Sequence, residues 1–151
     1  SRRMTELNDT EIKVRYAETD QMGIVHHSVY PIWFEAGRTD FMEKLGYPYS
    51  RLEAEGIMTP LTKLNCSFRE GARYGDTVIV SVYLKKLSPV RLEIWYKVRR
   101  KSDMQLLATG ETTLACTDKS MKIINLKAVN PDLYKLLETE SARFDMLYGT
   151  V

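Results

Sequence analysis

The sequence has no long hydrophobic run, and its most extended apolar stretch, Val78 to Leu84, is broken by Ser81. A bilayer span needs roughly 20 apolar residues, so no transmembrane helix is expected. Only two cysteines occur, Cys66 and Cys116, far apart and inside strand-like segments. Two are too few for a disulfide framework, and no CxxC or Cys/His spacing marks a zinc site. A reducing, cytoplasmic setting is the expectation. Neither sign of charge is in excess: 22 Lys+Arg stand against 20 Asp+Glu, for a net charge of +2. That balance gives no support for nucleic acid or an anionic membrane as the main partner. Repeats, low-complexity tracts and flexible linkers are missing, and so is a G-x-S-x-G nucleophile motif. Residues 4–9 are polar and acidic, unlike a secretory signal. Ser1-Arg2-Arg3 ahead of Met4 is set aside as an expression remnant.

What is present fits one domain: 151 residues, 44% hydrophobic and 10% aromatic. The expected division is a disordered segment over 1–9, a folded domain over 10–142 and a tail over 143–151. Residues 11–17 alternate and read as a strand. A loop follows over 18–27. Ser28 stands as an N-cap and Pro31 in a first helical turn, which predicts one long helix over 28–45, ended by Gly46. Tyr30, Trp33, Phe34, Phe41, Met42 and Leu45 leave most of its circumference apolar. Gly37 in mid-helix points to close approach of another backbone. A short helical turn is expected at 49–55. Beyond it the period changes to two, giving strands over 57–70, 76–87, 91–101, 105–117 and 121–126. Their short connections imply antiparallel neighbours. Asn130-Pro131-Asp132 opens a last helix over 130–142. The fold class is therefore α+β, an antiparallel sheet wrapped around one long helix. One helix leaves a sheet edge or face uncovered, and a second copy of the chain is the expected cover.

The densest chemistry lies just before the long helix. Both histidines, His26 and His27, share a loop with Glu18, Asp20 and Gly23. Main-chain N–H groups at a helix start lack intrahelical partners and sit at the positive end of the dipole. They stabilise an oxygen that gains negative charge. A carboxylate seven residues upstream supplies a base or nucleophile. The plainer reading makes Asp20 a turn residue and the histidines surface groups. No metal is expected, because adjacent histidines should project divergently and match no ligand spacing. Trp33, Phe34 and Phe41 read as core. Lys85-Lys86, Arg91 and Arg99-Arg100-Lys101 read as solvated strand ends able to attract a phosphorylated ligand.

The run Tyr16-Ala17-Glu18-Thr19-Asp20-Gln21-Met22-Gly23-Ile24-Val25-His26-His27-Ser28-Val29-Tyr30-Pro31-Ile32-Trp33-Phe34-Glu35 resembles the signature of the hotdog-fold acyl-CoA thioesterases. It is most similar to the 4-hydroxybenzoyl-CoA thioesterase group, in the branch associated with the Tol–Pal system. The likeness spans about residues 10–140, and Arg73-Tyr74-Gly75-Asp76 resembles a turn of that family. The resemblance implies a hotdog fold, dimers joined edge to edge and often paired into tetramers, and active sites at the dimer interface. It implies a CoA or acyl-carrier-protein thioester as substrate and no metal or organic cofactor. It makes Asp20 the catalytic carboxylate, as nucleophile or general base. It places His27 where a main-chain N–H polarises the thioester carbonyl, with a side chain considered catalytic in that branch, and Tyr16 where a tyrosine supports the carboxylate. Gly23, Val25, Tyr30 and Arg91 are the expected substrate contacts. Glu18 and Met22 depart from the commoner pattern of an aspartate and a small residue.

Two other readings compete. A hotdog hydratase or dehydratase would pair His26 or His27 with Glu35 for proton transfer, though the proline- and glycine-bearing loop beside the histidine of those enzymes is absent. A non-catalytic module would bind acyl-CoA without turnover.

Overall fold

The computed structural model describes residues 7–149. Five strands form one antiparallel sheet: β1 (Asp9–Lys13), β2 (Leu61–Phe68), β3 (Thr77–Ser88), β4 (Arg91–Arg100) and β5 (Leu106–Ala115). Their spatial order is β1-β3-β4-β5-β2, so β1 and β2 are the edges. The helices are α1 (Val29–Lys44), α2 (Tyr49–Ala54), α3 (Leu126–Val129) and α4 (Pro131–Tyr148). No helix among the described residues is long and apolar enough to cross a membrane.

The long helix lies across the sheet as expected, and it is buried along one stripe. That stripe is Val29, Tyr30, Trp33, Phe34, Gly37, Phe41 and Met42, the three- and four-residue spacing of one helical face. Val78, Val80, Val82 and Leu84 of β3 and Leu92, Ile94, Tyr96 and Val98 of β4 are all buried. Gly37 is needed for side chains rather than for a backbone. A Cβ there would stand 2.8 Å from Val82 Cγ2 and 3.0 Å from Val80 Cγ1. Phe34 stacks on Tyr96 at 4.3 Å, over Gly110, where a Cβ would strike the Phe34 ring. Gly46 ends α1 with φ +85, and the N–H of Tyr47 bonds back to the Met42 carbonyl.

Several expected boundaries move, each for a local reason. The first strand stops at Lys13 because Tyr16–Glu18 form a 3₁₀ turn, whose entry is fixed by Arg15 N–H donating to Glu18 Oε1 at 2.8 Å. The strand expected over 121–126 does not form. Asp118 Oδ1 accepts from the N–H groups of Ser120 and Lys122, Met121 has φ +64, and the chain then enters α3. The last helix runs on to Tyr148, past the expected end at 142, because Phe144 and Tyr148 reach Tyr83 and Trp95 on the outer face of the sheet. Residues 1–6 of the expected N-terminal segment, and residues 150 and 151 of the tail, lie outside the described residues. Asn8 is buried and donates from Nδ2 to the Val82 carbonyl at 2.7 Å.

Candidate active site

The loop between β1 and α1 is pinned to the connection between β2 and β3. The N–H of Val14 donates to the Asp76 carbonyl, and that of Val25 to the Ala72 carbonyl, both at 2.8 Å. Ile24 forms an antiparallel bridge with Arg73. This pinning creates an open cleft of about 310 Å³, lined by Asp20, Met22, Ile24, Val25, His27, Tyr30 and the segment 68–71. The sequence placed Asp20, Val25, His27 and Tyr30 in one site, and the fold gathers them on one cleft.

Asp20 is partly a turn residue, as the plainer reading held. Its Oδ1 accepts from Met22 N–H at 2.8 Å and from Ile24 N–H at 3.4 Å. Gly23 closes the turn with φ +79, its N–H donating to the Asp20 carbonyl, a conformation that glycine adopts without strain. One carboxylate oxygen is thereby held, while Oδ2 has no partner among the described residues and is free to act.

The start of α1 is built unusually. Ser28 stands at the N-cap position with helical angles and makes no side-chain cap. Its Oγ lies 2.8 Å from His26 Nδ1, and its N–H donates to that same nitrogen at 3.2 Å. Val29 N–H bonds to the His26 carbonyl and Tyr30 N–H to the His27 carbonyl. His27 N–H has no acceptor among the described residues, so the open donor at the positive helix end belongs to His27. The two imidazoles lie together, ring centroids 4.1 Å apart, rather than diverging. Even so, no group of three potential metal ligands occurs among the described residues.

Glu18 is buried and fastens the loop to the helix. Its Oε2 accepts from Trp33 Nε1 at 3.2 Å, its Oε1 from Arg15 N–H, and its carbonyl from His26 N–H at 2.9 Å. The Tyr30 phenol is held above its ordinary pKa by burial, opposed by a hydrogen bond from the Ala72 main chain. Burial pushes both Cys66 and Cys116 thiols up to about 11, which leaves neither as a nucleophile at neutral pH.

Other expected residues fall elsewhere. Tyr16 is 76% exposed and meets Tyr74 edge-on at 5.7 Å; its phenol makes no hydrogen bond to Asp20. Arg91 pairs with Ser88 at the opposite end of β4 from Arg100, roughly 30 Å along the strand, so one chain does not bring it to the cleft. Glu35 lines a separate cleft with Arg38, Tyr49 and Thr59. Eight residues along α1 set it about 12 Å from His27, so the hydratase-like pair is not assembled within one chain. Phe68, Arg69, Glu70 and Gly71 were missed as cleft residues. Nothing local marks them, because their place comes from the pairing of Val25 with Ala72.

An antiparallel sheet with one long helix across it, and a carboxylate cleft at that helix's start, defines a hotdog-fold thioesterase class of protein. The chain belongs to the thioesterase-like superfamily, whose pattern matches residues 14–144, and it is an enzyme of that kind. It is 35% identical over 129 residues to YneP of Bacillus subtilis, whose name assigns acyl-CoA thioesterase activity provisionally; the match covers 85% of this chain and 93% of that one. It is similar to the crystal structure of a DHNA-CoA thioesterase from Staphylococcus aureus, with TM-score 0.85, 33% identity and 95% of each chain covered. It is also similar to a hypothetical protein of Thermus thermophilus, with TM-score 0.81, 43% identity, and 88% and 98% of the two chains covered.

Proposed function

We propose that this enzyme hydrolyses acyl-CoA thioesters to a free acid and CoA, within the 4-hydroxybenzoyl-CoA thioesterase group and its Tol–Pal-associated branch. One observation carries the reading: Asp20, which keeps one carboxylate oxygen uncommitted, and His27, whose N–H has no acceptor among the described residues, line the same cleft. The thioester oxygen rests on His27 N–H, which stabilises the negative charge that develops as the carbonyl is attacked. Asp20 attacks that carbon to form a mixed anhydride, later opened by water, or takes a proton from the water that attacks directly. Either route ends with the acid released and the sulfur leaving as the CoA thiol. A thioester is an activated acyl donor, so one carboxylate and one polarised carbonyl suffice without a serine triad.

A second copy of the chain is the proposed cover of β2. That edge strand carries Leu64 at 44% and Phe68 at 52% exposure, a hydrophobic row that soluble proteins rarely leave open. An antiparallel edge is self-complementary under a twofold axis. Phe68 belongs both to that edge and to the Asp20 cleft, so the proposed dimer borders the site. Pairs of such dimers would give the tetramer.

Thiol release from a panel of acyl-CoAs tests the chemistry. Asp20→Asn is expected to keep the fold and lower kcat at least about 100-fold. His27→Ala keeps the main-chain donor, so its loss should be smaller. Near-normal turnover in Asp20→Asn would remove Asp20 from the mechanism.

A further inference from the structure

Beside the cleft lies a second group of exposed residues that the proposed hydrolysis does not use. Tyr16 and Tyr74 are 76% and 65% exposed, and their rings stand at 84° to each other. Two large aromatic rings held against one another in water offer a face and an edge to a third ring. Tyr74 adjoins Arg73, whose Nη1 lies 3.5 Å from where a Cβ on Gly23 would stand, so its guanidinium covers the turn that carries Asp20. Arg69 lines the cleft itself.

The charges around this mouth are sorted. Glu70 is turned to Arg100 at 4.0 Å, and Arg15 to Glu18 at 3.5 Å. Lys85, Arg100 and Lys101, which the sequence offered as phosphate contacts, are paired with Glu111, Asp76 and Glu11 at 2.5, 3.2 and 2.8 Å. Arg73 N–H donates to Asp76 Oδ2 at 2.9 Å, but the guanidinium groups of Arg69 and Arg73 form no ion pair among the described residues. They are planar, permanently charged forks beside the cleft, suited to phosphate oxygens.

We propose that Tyr16, Tyr74, Arg69 and Arg73 form a docking site for the nucleotide end of a CoA thioester, with the purine on the tyrosine pair and phosphates on the two guanidinium groups. The inference rests on the thioesterase reading and adds which carrier the site prefers. A phosphopantetheine arm on a carrier protein shares a phosphate but has no purine, so the aromatic pair favours CoA. Tyr16 is then a binding residue and not a support for Asp20.

The test compares one acyl group on three carriers: CoA, pantetheine without nucleotide, and acyl-carrier protein. The wild type should show a KM for acyl-pantetheine at least about tenfold above that for acyl-CoA, since stacking and charge-assisted phosphate contacts each contribute at that scale. In Arg73→Gln/Tyr74→Ala that ratio should fall toward one. A wild-type ratio near one, a ratio preserved in the variant, or a preference for acyl-carrier protein overturns the proposal. Calorimetry with 3′,5′-ADP separates it from the hydrolysis reading. Binding that the double variant loses upholds the site even if no thioester is turned over, and thioester turnover with no 3′,5′-ADP binding overturns the site alone.

Discussion

The Glu18–Trp33 hydrogen bond should set both the stability of the catalytic loop and its rate. Glu18 is 7% and Trp33 2% exposed, so neither group has ready access to water. In Glu18→Gln the amide oxygen can still accept from Arg15 N–H. The amide NH₂ then faces the indole N–H, and two donors meet where a donor and an acceptor stood. A buried donor left unsatisfied costs about 1–3 kcal/mol, which for a domain of this size is a fall in Tm of roughly 3–10 °C. Trp33→Phe removes the donor and leaves a buried carboxylate one partner short, at a similar cost. In the double variant the two donors no longer meet and no carboxylate is short of a partner; only one amide N–H is left unpaired, so its loss should be smaller than the sum by about 1–2 kcal/mol. Thermal melts at fixed protein concentration give the cycle. Activity reads the second consequence. Glu18 lies two residues before Asp20, and its carbonyl holds His26 beside the open amide, so loosening it should lower kcat more than it raises KM. Additive melting losses, or a Glu18→Gln enzyme with unchanged kcat, would refute the idea that this contact positions the site.

Two further outcomes follow from the packing. Gly37→Ala, which would add up to about 1 kcal/mol in an exposed helix, should instead lower Tm by a few degrees, because its Cβ meets Val82 Cγ2 at 2.8 Å and overpacking costs about 1–3 kcal/mol; a rise in Tm would contradict the close approach. Leu64→Lys on the β2 edge should shift the chain from dimer to monomer in sedimentation, and a dimer that survives it would place the second copy elsewhere.

The strands were legible because a half-buried sheet writes its alternation into the chain: Val78, Val80, Val82 and Leu84 on one face of β3, and Leu92, Ile94, Tyr96 and Val98 on one face of β4. The segment 121–126 carried a similar pattern and failed, because the Asp118 side chain captures Lys122 N–H and Met121 turns with φ +64, which leaves Ile124 N–H bonding to the Cys116 carbonyl without a strand around it. The last helix was read short because its final turn is held by Tyr83 and Trp95, which stand far off in sequence. Asp20 and His27 were visible as a motif. The segment 68–71 was not, since only the fold of the loop onto Ala72 makes it part of the cleft. Arg91 shows the same limit from the other side. Its charge is plain in the sequence, yet antiparallel pairing puts Arg91 opposite Ser88 and leaves Arg100 at the end of the sheet near the loop.

The opening of α1 shows why a local rule fails at this site and not elsewhere. At Asn130 the rule holds: the side chain accepts from Leu133 N–H at 3.0 Å and closes one of the open donors of α4. Ser28 has the chemistry to do the same for α1, and a serine cap is worth about 1 kcal/mol. Instead its hydroxyl and its N–H are both tied to the His26 ring. A cap by Ser28 would need the N–H of Tyr30 or Pro31. Tyr30 N–H already bonds to the His27 carbonyl and proline has none, so the ordinary cap finds no open donor here, while His27 N–H has no acceptor among the described residues. Sites that violate local consistency while the rest of the chain obeys it are where function is expected.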